Sequence, residues 1–121
     1  MAIGAAKLGA RVDAIEIDPA GLADGQANAD VNGVTDRIFF SQSLEGDMHQ
    51  YDLIVANILR PVLLEFAETL SARLARGGTL IISGLVSTDV PDVGAKFSQY
   101  LGAQPPVVYQ RGEWRALVWK T

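Results

Sequence analysis

The chain has 121 residues, of which 49% are apolar, contains no cysteine, and carries a formal net charge of -4 at pH 7. This length and apolar content suit a single domain with a core of its own. The absence of cysteine excludes a disulfide scaffold, a thiolate zinc site and a cysteine nucleophile, and the acidic balance disfavours nucleic acid as a direct partner.

The first half of the chain predicts two helices and two short strands. In chain order these are a helix at Ala2–Leu8, a strand at Arg11–Ile17, a helix at Ala20–Val31 and a strand at Arg37–Phe40. Pro19 suits the first turn of the second helix, and Asn32-Gly33 suits its end. The interior glycines of that helix, Gly21 and Gly25, each weaken it by about 1 kcal/mol.

The second half predicts a clearer alternation of strands and helices. In chain order these are a strand at Tyr51–Ala56, a helix at Pro61–Arg76, a strand at Thr79–Ser83, a helix capped by Ser87 or Thr88, and strands at Val107–Gln110 and Trp114–Trp119. The helix at Pro61–Arg76 is apolar near the 3.6-residue period, and Gly77-Gly78 suits its end. The longest apolar run, Leu53–Leu59, is far shorter than the roughly 20 residues of a membrane-spanning helix, so no membrane partner is expected.

The order of these elements predicts an α/β fold. Alternating strands and helices form parallel βαβ units, so we expect a doubly wound, Rossmann-like sheet in one domain, residues 1–121. The last two strands are joined by a short turn at Arg111-Gly112 and must be antiparallel. The sheet is therefore expected to be mostly parallel with an antiparallel final strand.

The start of the chain departs from this pattern. A doubly wound domain begins with a strand whose turn into the first helix carries glycines that bind the cofactor. Here the sequence begins within the first helix, and no Gly-x-Gly cluster is present. We therefore expect the sheet to be missing its first strand, which leaves an unpaired edge and favours self-association through the incomplete sheet.

The first candidate binding segment is Glu16-Ile17-Asp18-Pro19, at the end of the first predicted strand. An acidic side chain at the carboxyl edge of such a sheet can accept hydrogen bonds from both hydroxyls of a ribose. Strand alternation points Glu16 and Asp18 the same way. The position equally suits two solvated loop acids, or charges that complement the dipole of the next helix. It does not separate S-adenosylmethionine from a dinucleotide.

Two further polar features give weaker signals. Ser41-Gln42-Ser43-Leu44-Glu45 follows the Arg37–Phe40 strand, and its small side chains suit contact with an adenine edge, although an ordinary polar turn is the simpler interpretation. His49 is the only histidine, which excludes a histidine-based metal cluster. The serines have no histidine positioned to activate them, so a hydrolase triad is not expected.

The third candidate is Asn57, which ends the apolar strand Tyr51–Ala56. A lone polar residue at the end of a buried strand is costly unless it is hydrogen-bonded, so we expect it to have a purpose. Its side-chain carbonyl, beside a methyl donor, can accept a hydrogen bond from a substrate amine and align the nitrogen lone pair. The alternative is that Asn57 caps the helix beginning at Pro61 or closes a turn.

Together these segments resemble the family of methyltransferases that act on ribosomal protein L11, the PrmA family. The resemblance covers nearly the whole chain in matching order, at Ala2–Ala10, Glu16–Pro19, Asn28–Gly33, Val55–Leu59, Gly77-Gly78 through Ser83-Gly84-Leu85, and Gly112-Glu113-Trp114. The match at Val55–Leu59 is the most specific, because it replaces the Asp/Asn-Pro-Pro-Tyr motif of many amino-methylating relatives.

The resemblance implies a class I methyltransferase that uses S-adenosyl-L-methionine as its cofactor. Its substrates would be lysine side-chain and N-terminal amines of a protein partner, a ribosomal protein of the large subunit, in the cytoplasm. The implied cofactor-binding residues are Glu16 at the ribose with Ile17 and Asp18 adjacent, Ser43 and Leu44 near the adenine, and Asn57 near the methyl group. Asn57 is also the implied catalytic residue, beside the incoming amine. No metal is implied.

Two parts of the family pattern have no counterpart in this sequence. One is the Asp-x-Gly-x-Gly-x-Gly loop, which wraps the methionine part of the cofactor. The other is a small N-terminal domain that recognises the ribosomal substrate. The implied activity therefore belongs to a protein that contains these parts, and the activity of this chain alone stays open.

Two other interpretations remain at this point. One is a dinucleotide-binding oxidoreductase domain, because Glu16 suits an NAD ribose equally well; the Asn57 segment and the antiparallel final pair argue against it. The other is a non-catalytic interaction module that needs a partner to complete its sheet.

Overall fold

The computed structural model describes residues 1–16, 18–43, 49–102 and 105–121. The chain divides into two compact units, Met1–Asp47 and Met48–Thr121, which we name the N-terminal unit and the C-terminal unit. The single domain expected over residues 1–121 stays a prediction. None of the helices in these described ranges combines the length and apolarity needed to cross a membrane.

The N-terminal unit contains two helices and two strands. They are α1 (Ala2–Lys7), β1 (Val12–Ile15), α2 (Pro19–Val31) and β2 (Ile38–Ser41), with a 3-10 turn at Thr35–Arg37 before β2. The two strands pair in parallel along their length, from Val12 opposite Ile38 to Ile15 opposite Ser41. The predicted elements of this half are confirmed, and their ends differ from the predicted ones by at most two residues.

The core of the N-terminal unit is small, and glycines let its helix approach closely. Its buried residues are Ala6, Ala29, Val34 and Ile38, with Phe40 among the side chains packed against them. A Cβ at Gly25 would lie 3.0 Å from Cε1 of Phe40. The glycine that weakens α2 in isolation therefore brings the helix against β2, where a larger residue would need Phe40 to move.

Asp18 caps the N-terminus of α2. Its Oδ1 accepts a hydrogen bond from the Ala20 N–H at 3.0 Å, and Pro19 occupies the first helical turn. Both features satisfy or remove N–H groups that have no partner within a helix, and the carboxylate also complements the helix dipole. The charge at Asp18 thus has a local structural role.

Replacing Asp18 with alanine is expected to lower the free energy of unfolding by about 1 kcal/mol, because the first turn of α2 loses its cap. Thermal denaturation followed by circular dichroism measures this loss. Asp24→Ala is the matched control, since it removes an exposed carboxylate from the same helix and is expected to change stability by less than about 0.5 kcal/mol. Equal losses in the two variants would contradict the capping role.

The C-terminal unit contains a four-stranded sheet and two helices. Its elements are β3 (Tyr51–Ala56), α3 (Arg60–Ala72), β4 (Leu74–Val86), α4 (Val90–Leu101), β5 (Val107–Arg111) and β6 (Trp114–Lys120), with a 3-10 turn at Ser87–Asp89 before α4. The strand order is β3-β4-β6-β5. β3 and β4 are parallel, and β6 is antiparallel to both of its neighbours.

One face of this sheet forms the core of the C-terminal unit. Leu80, Ile82 and Leu85 of β4 are buried, with Leu117 and Trp119 of β6 beside them. The helices contribute buried side chains to the same unit, among them Leu63, Ala67, Val93 and Phe97. The rings of Phe97 and Trp119 lie 5.6 Å apart between centroids, in a tilted arrangement within the favourable range for aromatic pairs.

The predicted end of α3 is wrong by four residues. The helix ends at Ala72 instead of Arg76, and Gly77-Gly78 lies within β4. The cause is pairing with β3, because Leu74 is buried opposite Tyr51 and the Tyr51 N–H donates to the Arg73 carbonyl at 2.7 Å. A tertiary strand pairing here overrides the helical period of the sequence.

The predicted cap of α4 is also wrong. Ser87 and Thr88 lie in the 3-10 turn, and α4 begins after Asp89 without a side-chain cap. Asp89 instead accepts a hydrogen bond at Oδ2 from the Val86 N–H at 3.0 Å. The carboxylate therefore closes the turn between β4 and the helix.

The two final strands form the predicted antiparallel hairpin, and the last strand lies inside the sheet. β6 pairs with β4 on one side and with β5 on the other, so β5 is the edge strand. Leu117 and Trp119 of β6 are buried, whereas every residue of β5 is exposed. In the part of the chain that the structure describes, β1 pairs only with β2 and β3 only with β4. Each of those two strands therefore has one edge without a strand partner.

Candidate functional site

In the N-terminal unit, two of the predicted polar segments lie side by side. Parallel strands end at the same edge of a sheet, and Ile15 at the end of β1 is opposite Ser41 at the end of β2. The Glu16 N–H extends this ladder by donating to the Ser41 carbonyl at 2.9 Å. The Ser41 hydroxyl in turn donates to the Ser43 carbonyl at 3.0 Å. Glu16 and Ser41–Ser43 are thus brought together at the carboxyl edge of this strand pair.

The Glu16 carboxylate is held beside the start of α2. Its Oε1 accepts a hydrogen bond from the Asp18 N–H at 3.2 Å. A Cβ at Gly21 would lie 3.1 Å from its Cδ, so the glycine leaves the room in which this carboxylate sits. The side chain is exposed, and Oε2 accepts no hydrogen bond from any residue in the described ranges. Glu16 therefore presents a fixed carboxylate with one oxygen open to a ligand.

Two of the predicted cofactor contacts, Ile17 and Leu44, lie outside the described residues, as does Glu45. Asp18 is described, and its Oδ1 is engaged by the helix cap. Its predicted place beside the ribose stays a prediction. Ser43 is exposed next to the end of β2.

In the C-terminal unit, Asn57 directly follows β3 and is exposed. It does not cap the next helix, because α3 begins at Arg60 with Leu59 in the cap position and has no side-chain cap hydrogen bond. Among the described residues the Asn57 carboxamide has no hydrogen-bond partner. The alternative explanation of Asn57 as a helix cap is therefore wrong, and so is the expectation that it ends a buried strand. Its exposed amide is available to a ligand.

The Asn57 side chain lies against Gly84 of the neighbouring strand β4. A Cβ built at Gly84 would overlap Oδ1 of Asn57 and would lie 3.4 Å from its Cγ. Gly84 has a φ of +77°, in the left-handed region that favours glycine. The carboxamide oxygen thus faces a stretch of backbone that carries no side chain.

Each of the two strand ends, taken by itself, offers a distinct chemistry. A carboxylate with an open oxygen accepts hydrogen bonds from hydroxyl groups, and it does so more strongly than a neutral acceptor. A carboxamide offers one acceptor oxygen and two N–H donors, which suits a neutral amine. No group of three or more His, Asp or Glu side chains placed to hold a metal ion occurs in the ranges that the structure describes.

Two glycines, Gly21 and Gly84, lie against candidate side chains although the sequence pattern did not mark them. Gly21 was predicted only to weaken a helix, and Gly84 was only part of a matched segment. Each proves to lie against a predicted site side chain, Glu16 and Asn57 respectively. The available signal for Gly84 was a glycine directly after the predicted strand Thr79–Ser83, where a backbone often approaches a ligand or a side chain. No comparable signal marked Gly21, which lies within α2.

Comparison with known proteins identifies one family over the whole chain. The model of the family described as Ribosomal protein L11 methyltransferase (PrmA) matches residues 1–121. A ribosomal protein L11 methyltransferase of Photobacterium profundum is 38% identical over 117 residues, which are 94% of this chain and 39% of the relative. One from Porphyromonas gingivalis is 38% identical over 121 residues, or 97% of this chain and 41% of the relative. The chain thus spans about two fifths of the length of these relatives.

Solved structures give the same fold. The ribosomal protein L11 methylase of Lactobacillus delbrueckii is 30% identical, with a TM-score of 0.86 over 97% of this chain and 61% of that protein. An RNA methyltransferase of Salinibacter ruber, crystallised with S-adenosyl-L-homocysteine, is 23% identical with a TM-score of 0.74, over 98% of this chain and 71% of that protein. The second likeness concerns the fold alone. The predicted class I methyltransferase fold, mostly parallel with an antiparallel final strand, is confirmed.

Proposed function

The chain belongs to the ribosomal protein L11 methyltransferase (PrmA) family, and we propose on that premise that it is part of an enzyme that methylates protein amines with S-adenosyl-L-methionine. The proposed substrates are lysine side-chain and N-terminal amines of a ribosomal protein of the large subunit. The observation that carries this proposal is the Asn57 carboxamide, exposed at the end of β3 with no capping role.

The residues at the end of β1 fit the ribose of the cofactor. The open Oε2 of Glu16 is an acceptor for a ribose hydroxyl, and Oε1 is anchored by the Asp18 N–H. Anchoring reduces the conformational entropy that ligand binding must otherwise overcome. Ser43, and by family likeness Ile17, Asp18 and Leu44, complete the proposed cofactor contacts around the ribose and adenine.

Asn57 fits a different part of the reaction. When bound, S-adenosyl-L-methionine supplies a methyl group attached to a positively charged sulfur, which leaves as a neutral thioether. An amine attacks that carbon through its lone pair, so the amine must be neutral and correctly aligned. The Asn57 Oδ1 accepts an amine N–H, which fixes the nitrogen without competing for the lone pair. The proton released from the methylated nitrogen passes to solvent.

Because the chain spans about two fifths of the length of its relatives, the test uses two proteins. One is the 121-residue chain, and the other is a fusion in which the remaining sequence of the Photobacterium profundum relative completes it. We expect the fusion to transfer radiolabelled methyl groups to purified ribosomal protein L11. Calorimetry on both proteins compares binding of S-adenosylhomocysteine with binding of NAD.

Binding of S-adenosylhomocysteine without binding of NAD is the expected result for the fusion. Binding of NAD alone would overturn the proposal in favour of a dinucleotide-binding domain. A fusion that folds cooperatively and binds neither compound would leave a non-catalytic module as the better account. Methyl transfer to ribosomal RNA but not to ribosomal protein L11 would contradict the proposed substrate class.

A further inference from the structure

The end of β4 contains a β-bulge next to Asn57. Ile82 pairs with Leu117 of β6, and the next pair along the two strands is Leu85 with Arg115. Three steps along β4 therefore correspond to two steps along β6, so β4 carries one extra residue. Gly84 lies in this segment with its φ of +77°, which is the conformation of a glycine-containing bulge.

The bulge changes which side chains of β4 share a face. Leu80 and Ile82 are buried on the same face, as strand alternation requires, and Leu85 is buried after a step of three residues. The extra residue returns Leu85 to the core and lets Gly84 turn beside the end of β3. Bulges often occur next to functional sites because they redirect a side chain or a backbone segment.

We propose that Gly84 is the positioning residue for Asn57. The bulge brings the β4 backbone alongside the end of β3, and the missing side chain at position 84 leaves the space that the Asn57 oxygen occupies. With a residue larger than glycine, the carboxamide has to rotate out of that space. This inference rests on the proposed function, because it assigns Asn57 the binding of the substrate amine.

Two requirements favour glycine at position 84, and the chain allows them to be separated. One is the left-handed backbone conformation, in which any residue with a side chain is strained. The other is the overlap of a Cβ with the Asn57 oxygen. Gly77 lies in the same strand with a φ of +81°, and a Cβ there would meet no atom within 4 Å. Gly77→Ala therefore introduces the backbone strain without the overlap.

The overlap is with the end of a side chain that is free to rotate. We expect Gly84→Ala to move the Asn57 amide instead of preventing folding, so its thermal stability should fall about as far as that of Gly77→Ala. In the fusion protein, Gly84→Ala is expected to lower kcat by between about 10-fold and 100-fold, because a small misplacement of an aligning group costs that much. The Kd for S-adenosylhomocysteine should change by less than about twofold, and Gly77→Ala should leave kcat unchanged.

Combining Gly84→Ala with Asn57→Ala separates a positioning role from a general structural one. If Gly84 acts through Asn57, the double variant has the same kcat as Asn57→Ala alone. Losses that multiply, or equal kcat values for Gly84→Ala and Gly77→Ala, would overturn the proposal.

Nuclear magnetic resonance on the 121-residue chain tests positioning without any activity. The side-chain amide resonances of Asn57 should shift in Gly84→Ala and stay in place in Gly77→Ala. Unshifted resonances in Gly84→Ala would overturn the proposal even if the enzyme is active. If the unaltered fusion transfers no methyl group, the proposed function fails, and the resonances still decide whether Gly84 positions Asn57.

Discussion

Replacing Asn57 with alanine is expected to lower the kcat of the fusion protein on the order of 100-fold, as removal of one preorganised polar group at a reacting centre does. The Kd for S-adenosylhomocysteine should change by less than about twofold, because the proposed contact is to the amine and not to the cofactor. The folded protein should lose little stability, since Asn57 is exposed and caps no helix. Initial rates of methyl transfer and calorimetric titrations measure these quantities.

A second asparagine provides the control for this substitution. Asn32 is also exposed, and its amide donates to the Asn28 carbonyl at 2.8 Å at the end of α2. Asn32→Ala should leave kcat unchanged while slightly lowering the thermal stability. An unchanged kcat in Asn57→Ala would remove Asn57 from the site, and an equal loss in both variants would point to a general effect on folding.

Replacing Glu16 with glutamine is expected to weaken S-adenosylhomocysteine binding by about tenfold or more. A hydrogen bond to a charged acceptor contributes about 1.5–3 kcal/mol, and about 1.4 kcal/mol corresponds to a factor of ten in Kd. Glutamine keeps one acceptor oxygen but replaces the other with an N–H donor, which cannot accept from a ribose hydroxyl. Calorimetry at a fixed ionic strength measures the change, and kcat at saturating cofactor should change far less.

Glu68→Gln is the matched control, because it removes one negative charge from an exposed carboxylate on α3. It should bind S-adenosylhomocysteine as tightly as the unaltered protein. If both substitutions weaken binding equally, the effect comes from net charge, and the specific role of Glu16 is refuted. If neither does, the cofactor ribose is bound elsewhere.

Sequence patterns located most of the elements because their signals are local. The Leu-Ile-Val run of β3 and the Asn32-Gly33 end of α2 depend only on neighbouring residues. β3 lies at its predicted residues, Tyr51–Ala56, and α2 ends at Val31 as predicted. The end of α3 depends on a distant partner. Leu74 fits a helical period, but pairing with Tyr51 places it in β4, and no local pattern contains that information.

The candidate site residues show the same contrast between features set by local sequence and features set by tertiary contacts. The position of Glu16 and Asn57 after two strands follows from the alternation of strands and helices alone. Whether their side chains are already hydrogen-bonded depends on the folded structure. The Asp18 N–H donates to Glu16, whereas α3 begins with Leu59 in its cap position and makes no hydrogen bond to Asn57. The extra residue in β4 was not predicted either, because the predicted strand ends at Ser83, whereas pairing with β6 extends β4 through Gly84 to Val86.

The bulge at Gly84 also has a consequence for how this sequence can change during evolution. A mutation that adds a side chain at position 84 takes up the space of the Asn57 carboxamide. A shorter residue at position 57 no longer occupies that space and also removes the amide. Neither change is neutral while the other residue stays as it is. Positions 57 and 84 should therefore be inherited as a pair, and in a lineage that abandons the amide only the left-handed backbone still favours glycine at position 84.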